Sequence, residues 1–330
     1  MRRMTNHGPP RPHRLGVVIM VFALLASCSV ISPERPHGPV ELATLKVAVT
    51  RAIDTAPLRL AVKREMFERS GLTVTLVEQP SQRRSLKALW SDTVDVAFTG
   101  NVTVLKEVAN GADVRIQSEA YIAGPDTMGL VTLPGSGYDG PTAKVAPRIA
   151  VDTLGGLGTL TTRSRMATEG IDPDAIQFTA MPFGAMMDAL RRGEIDAAWL
   201  TEPDISRAQQ EFGARIMTDT ARGAMLDFPM SSYVTTGKAA TKHPTTFAVF
   251  REVLTKAQQL AADPTEVRDV LASFSFLDKT AATLVALGTF PTSVNAVRLQ
   301  RVADLMHDCG LVRKRIDVSS LVPNSATRGG

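Results

Sequence analysis

Two cysteines in 330 residues, Cys28 and Cys309, leave room for one disulfide at most, so the chain is not a disulfide-stapled scaffold. The five histidines, His7, His13, His37, His243 and His307, are scattered without zinc-ligand spacing. No metal or other cofactor is expected. Aromatic residues make up 5% of the chain, and no Lys/Arg run is interleaved with them, which argues against a nucleic-acid partner. No apolar run reaches the ~20 residues that cross a bilayer. Catalytic signatures are missing as well. There is no Gly-x-Ser-x-Gly elbow and no phosphate loop ending in Gly-Lys-Ser/Thr, and Gly156-Leu157-Gly158 lacks the rest of a dinucleotide fingerprint. Asp95 and Asp196 open two strands of similar sequence, at the edge away from any cleft. They suit accepting backbone N–H groups of the preceding turn better than acid–base work. An enzyme is not expected.

What is present begins with a leader. Arg2, Arg3, Arg11 and Arg14 precede an apolar run, Leu15 to Ala26, that is broken only by Gly16 and ends in small residues, as a signal peptide does. Leu25-Ala26-Ser27-Cys28 resembles a bacterial lipobox. That resemblance implies lipidation of Cys28, cleavage just before it, and a mature chain anchored on the extracytoplasmic face of the cell membrane. The plainer alternative is an ordinary secretory signal with a chance cysteine. Removing the leader removes four of the 37 basic residues and no acid, which leaves 33 against 33. The basic balance of the whole chain therefore says nothing about partners. Arg313-Lys314-Arg315 reads as a solvated turn, and Cys309, left without a partner, as a buried, inert thiol.

Residues 1–27 are thus expected to be the signal peptide. Residues 28–43, with Pro33, Pro36 and Pro39, read as a tether. The body alternates strand and helix, which predicts α/β lobes, each a mostly parallel sheet flanked by helices. The first helix is expected from Thr55 to Ser70. The pattern restarts near Arg148: Ala88 to Phe98 aligns without gaps with Ala189 to Trp199, sharing Ala, Leu, Asp and Ala and matching aromatic to aromatic. Any two helix–turn–strand units look somewhat alike, but the match suits two similar lobes. After Thr236 only helices follow, so the chain is expected to return to the first lobe. This gives lobe I as 44–124 with 232–322, lobe II as 125–231, and a disordered tail at 323–330.

Two such lobes enclose a cleft at their strand carboxyl ends, where helix starts offer N–H groups and partial positive charge. Four starts stand out: Thr50 to Pro57, Thr99-Gly100-Asn101, Leu154 to Thr159, and Thr201-Glu202-Pro203-Asp204. Each also reads as a cap, with Asn101 a good N-cap and Thr201 with Asp204 a capping box. The candidate ligand contacts are Arg51, Asp54, Thr99, Gly100, Asn101, Gly156, Gly158, Thr159, Thr201 and Glu202. Phe183, Trp199 and Tyr233 supply apolar walls, although Trp199 suits the core equally. A side chain at Gly158 is expected to block ligand without disturbing the fold. Arg51 and the helix starts favour a small anion. Asp54 and Glu202, if both face inward, would reverse that preference or favour a zwitterion.

The order of motifs from Leu45 to about Val322 resembles the substrate-binding proteins of ABC importers in the nitrate/sulfonate/taurine family. They include Ala56-Pro57-Leu58, Asp95-Val96-Ala97-Phe98-Thr99-Gly100, Met181-Pro182-Phe183, Gly193-Glu194-Ile195-Asp196-Ala197-Ala198-Trp199 with Glu202-Pro203, and Leu311-Val312-Arg313-Lys314. The resemblance implies the two-lobed periplasmic-binding-protein-like fold (type II), a monomer, a small-molecule ligand, and delivery to an ABC permease. The pyrimidine- and thiamine-precursor-binding branch is similar, but it usually carries Trp where this chain has Thr50-Arg51-Ala52-Ile53-Asp54. Sulfonate binders usually carry serines where this chain has Gly155-Gly156-Leu157-Gly158-Thr159. A pyrimidine or other nitrogenous ligand is the alternative cargo. A permease-free sensor, or an enzyme on the same fold, is the alternative of another class.

Overall fold

A computed structural model of the chain describes residues 38–274 and 279–323. The leader, Cys28, most of the tether and residues 324–330 of the tail lie outside the described residues. Among the described residues no helix is long and apolar enough to cross a membrane.

The first half runs β1 (Thr44–Val49), α1 (Ala56–Lys63), β2 (Thr73–Glu78), α2 (Gln82–Trp90), β3 (Val96–Gly100), α3 (Asn101–Ala109) and β4 (Val114–Ile122). The chain then crosses into β5 (Met128–Thr132), β6 (Arg148–Val151), α4 (Leu157–Thr168), β7 (Gln177–Ala180), α5 (Phe183–Arg191), β8 (Ala197–Thr201), α6 (Asp204–Phe212) and β9 (Arg215–Asp219). It returns through β10 (Pro229–Thr236) to α7 (Gly237–Lys242), α8 (Pro244–Leu260), α9 (Pro264–Leu271), α10 (Lys279–Leu284) and α11 (Ala296–Asp308).

The two five-stranded sheets have one plan. Their orders are β2-β1-β3-β10-β4 and β7-β6-β8-β5-β9. In each, four strands run the same way, and the strand arriving from the other lobe, β10 or β5, runs antiparallel to them between β3 and β4 or between β8 and β9. The sheets are therefore mixed. The two crossings meet where Ala123 N–H donates to Phe228 O at 2.8 Å.

The sequence repeat falls on α2–β3 and α5–β8. Its turns match in detail: Asp92 and Gly193 both take the left-handed conformation, at φ 53° and 68°. Thr93 N–H reaches Ala88 O at 2.9 Å, and Glu194 N–H reaches Ala189 O at 3.0 Å. The aspartates that follow do not serve their own turn. Asp95 accepts the Lys46 N–H at 2.7 Å and Asp196 the Arg148 N–H at 2.8 Å, so each pins its strand to the neighbouring one.

Three other features differ from the sequence expectation. α1 ends at Lys63, because Glu65 turns left-handed (φ 52°) and swings Phe67 inward to stack on Phe250 at 5.7 Å. The expected tether stops short of residue 43. The Glu41 carboxylate accepts the N–H groups of Thr245 and Thr246, at 3.0 and 2.8 Å, and so caps α8. Burial opposes ionisation of Glu41, but these backbone donors outweigh it and hold the carboxyl at about 2. Finally, the late helices do pack on the first lobe, α8 against α1 and α11 against α3, but α10 also touches α6 of the second lobe.

Candidate ligand-binding cleft

A cavity of about 620 Å³ lies between the sheets at the carboxyl ends of β1, β3, β6 and β8. A second concavity, about 610 Å³, runs along α11 and shares no residue with it. Among the described residues no group of His, Cys, Asp and Glu could hold a metal ion.

The walls follow from topology. The loop after β1 brings Arg51 and Asp54, and the start of α2 brings Gln82 and Arg83. Gly100 closes β3, and Tyr121 and Ser231 come from the crossing strands. From the second sheet come Asp152 after β6, Gly156 and Leu157 at the start of α4, Phe183 at the start of α5, Trp199 and Thr201 from the end of β8, and Glu202, Pro203 and Asp204 just after it. Trp199 is both wall and core. It is 2% exposed, its Nε1–H donates to Thr220 Oγ1 at 3.2 Å, and Phe183 tilts onto it at 6.1 Å.

Of the residues expected from sequence, Arg51, Asp54, Gly100, Gly156, Phe183, Trp199, Thr201 and Glu202 line this cavity. Thr99, Asn101, Gly158, Thr159 and Tyr233 do not. Thr99 is fully buried in β3, opposite Ser232. Asn101 ties α3 to β10, donating to Pro229 O at 2.8 Å and accepting from Ser232 Oγ at 2.7 Å. Tyr233 points to the other side of the sheet, where it packs with Phe98 and Phe250. Thr159 is spent locally, its hydroxyl accepting Gly155 N–H at 3.0 Å. Gly158 has a packing role: a Cβ there would stand 2.7 Å from the Trp199 ring and 3.2 Å from Val151. A side chain at Gly158 would therefore disturb the fold as well as the site.

Most helix starts at the cleft are already capped from within. Gly100 N–H donates to Gln82 Oε1 at 2.8 Å, Arg84 N–H to Ser81 Oγ at 3.3 Å, and Ser206 N–H to Glu202 Oε2 at 3.0 Å. Glu202, and not Thr201 with Asp204, is thus the cap of α6. None of α3, α4, α5 and α6 is capped by the side chain of its own N-cap residue, but Gln82 takes the Gly100 N–H ahead of α3 and Glu202 serves α6 from one position earlier. The free N–H supply is smaller than four open helix starts would give.

Charge is distributed unevenly. The second lobe contributes three carboxyls, Asp152, Glu202 and Asp204, and no guanidinium; the first contributes Arg51, Arg83 and Asp54. Burial raises all four acids, Asp54 to about 6, where a hydrogen bond from Ser231 Oγ opposes the shift. Glu202 is satisfied by Ser206 and by Ala286 N–H at 3.0 Å, and Asp204 pairs with Arg207 at 2.5 Å. Asp54 is hydrogen-bonded by the Ser231 hydroxyl and its own backbone N–H, and Asp152 by the hydroxyl and backbone N–H of Thr153. Arg51 and Arg83 have no ion pair among the described residues. Asp152, Gln82 and Tyr121 are missing from the expected ligand contacts, and Asp204 is expected only as part of a helix cap. Asp152 was findable, since it follows β6 as Thr50 follows β1.

The fold is shared with solved binding proteins. The alkanesulfonate-binding protein SsuA from Xanthomonas axonopodis pv. citri, bound to MOPS, superposes with a TM-score of 0.72 at 20% identity, covering 86% of this chain and 99% of that one. The periplasmic nitrate-binding protein NrtA from Synechocystis PCC 6803 gives 0.71 at 15% identity, with 86% and 87% coverage. The ligand-binding component of an ABC-type import system from Staphylococcus aureus, with zinc bound, gives 0.74 at 15%, with 86% and 97% coverage. No curated protein sequence matches the chain. The resemblance to nitrate/sulfonate-type substrate-binding proteins therefore holds in the fold. A sequence profile described as the NMT1-like family matches residues 38–275, and the chain belongs to that family.

Proposed function

We propose that the chain is an extracytoplasmic, lipid-anchored solute-binding protein, not an enzyme, that works as a monomer and hands a small ligand to an ABC permease. The ligand carries both a nitrogen-bearing group and an anionic group. The observation that carries this reading is the polarised cleft: guanidiniums Arg51 and Arg83 on one lobe, and Asp152, with Glu202 and Asp204 behind it, on the other. A bare anion such as nitrate or a simple sulfonate would meet two arginines and the open start of α4, but also Asp54 and Asp152. An ammonium or a ring N–H facing those carboxyls removes the conflict. Phe183 and Trp199 offer an apolar surface to the rest of the ligand, which also suits an aminopyrimidine.

A thermal-shift panel tests the cargo. Taurine should raise the melting temperature more than nitrate, ethanesulfonate or an aminopyrimidine without an anionic group does. Stabilisation by the simple anions alone would overturn the mixed-charge reading and leave a solute receptor with anionic cargo. The anchor rests on Leu25–Cys28. Cys28→Ala should release the protein from membranes, and unchanged fractionation would remove the lipid from the proposal.

A further inference from the structure

Two walls of the cleft, one on each lobe, are held by the same short piece of chain outside it. The Tyr121 hydroxyl, at the end of β4, accepts the Gly288 N–H. Glu202 Oε1, after β8, accepts the Ala286 N–H at 3.0 Å. Neither Ala286 nor Gly288 lines the cavity. The piece is fixed to the first crossing as well. Ile122 and Thr289 exchange both backbone hydrogen bonds, at 2.9 and 3.0 Å. Phe290 packs on the Tyr121 ring at 5.2 Å. The backbones approach so closely that a Cβ on Gly288 would stand 2.1 Å from Ile122 O and 2.9 Å from Gly124 N. Just upstream, α10 bridges α9 and α6, one from each lobe.

We propose that residues 285–290 are a strap across the hinge, an attachment between the lobes beyond the two crossings and the Lys106–Gly155 hydrogen bond, that sets how far the cleft opens. Two crossing segments alone leave the lobes free to rotate about them, because a hinge needs only a few residues to absorb the motion. A segment bonded to Tyr121 on one side and to Glu202 on the other limits that rotation. It also positions both side chains, whichever solute the cleft takes.

The test needs no ligand. Spin labels at the exposed Lys87 of α2 and Arg191 of α5, in the full chain with Cys28→Ser and Cys309→Ser, report the interlobe distance. The parent should give one narrow distribution. Gly288→Val, which cannot lie flat on the crossing, should give a longer and broader one. Tyr121→Phe removes only the acceptor for the Gly288 N–H. It should shift the distribution less and speed amide exchange at Gly288 about tenfold, the effect of losing one hydrogen bond. Unchanged distances in folded Gly288→Val overturn the strap. If that variant does not fold, unchanged distance and exchange in Tyr121→Phe overturn it instead.

Discussion

At the foot of each sheet an aspartate pins the third strand to the first, but the two lobes surround it differently. Asp95 in lobe I takes the Lys46 N–H at 2.7 Å. Asp196 in lobe II takes the Arg148 N–H at 2.8 Å and is also reached by Lys144 Nζ at 2.6 Å and the Arg148 guanidinium at 2.7 Å. Burial raises the Asp196 carboxyl, but Arg148 and Lys144 outweigh that and hold it below the usual carboxylate range. The difference at the foot is mirrored at the rim. Lobe II turns three carboxyls and two aromatics to the cleft, lobe I two guanidiniums with Asp54 and Tyr121. One topology thus supplies the frame twice, and side chains at equivalent strand ends give the two faces opposite electrostatic character.

Gly158→Val should break lobe II hardest. The added carbons meet the Trp199 ring and Val151, and overpacking of this kind costs about 1–3 kcal/mol. Chemical denaturation would read the loss, and hydrogen exchange should place it in β6 and β8 with β1 and β3 less affected. Equal loosening of both sheets would show that the lobes do not respond separately.

The aspartates sharpen the comparison. Asp196→Asn should cost about 2 kcal/mol and Asp95→Asn about 1 kcal/mol, the range for charge-assisted and single hydrogen bonds. Because the folded-state pKa of Asp196 is depressed, its contribution is present above the ordinary carboxyl range and fades as pH falls below it. Acid titration of the two variants should therefore show a flatter low-pH limb for Asp196→Asn than for Asp95→Asn. Identical limbs would mean the extra cations contribute nothing.

Glu41→Gln should have the smallest effect, about 1 kcal/mol or less, since Glu41 caps α8 from an exposed position. The Glu41 contribution is likewise complete above the ordinary value and lost as pH falls towards about 2. A melting temperature unchanged at pH 7 and at pH 3 alike would leave residues 41–42 merely resting on α8.

The two-lobed plan was legible because its signals are local: apolar periodicity, glycine stops, and a helix–turn–strand unit written twice. The position of the cleft followed from the strand-end rule, and eight of the expected contacts line it. Most of the failures depended on distant partners. Asn101 looks like a cap until β10, 128 residues away, lays Pro229 beside it. Gly158 looks like a ligand cradle until Trp199 fills the space above it. Tyr233 and Thr99 are enclosed, on opposite faces of the sheet, once β10 inserts beside β3, and no local pattern encodes that pairing. β5 and β9 went unseen because their antiparallel pairing belongs to the crossing rather than to any repeat.

The mixed-charge reading of the cleft is tested most directly by titration calorimetry of taurine beside ethanesulfonate, which differ by one amine, from pH 5 to pH 8. Burial holds Asp54 near 6, so its carboxylate forms across this window. An ammonium placed against it binds the ionised form. Taurine should therefore bind the more tightly, and its advantage should grow as pH rises through about 6. Ethanesulfonate binding as tightly as taurine, with both affinities falling as pH rises, would contradict the account.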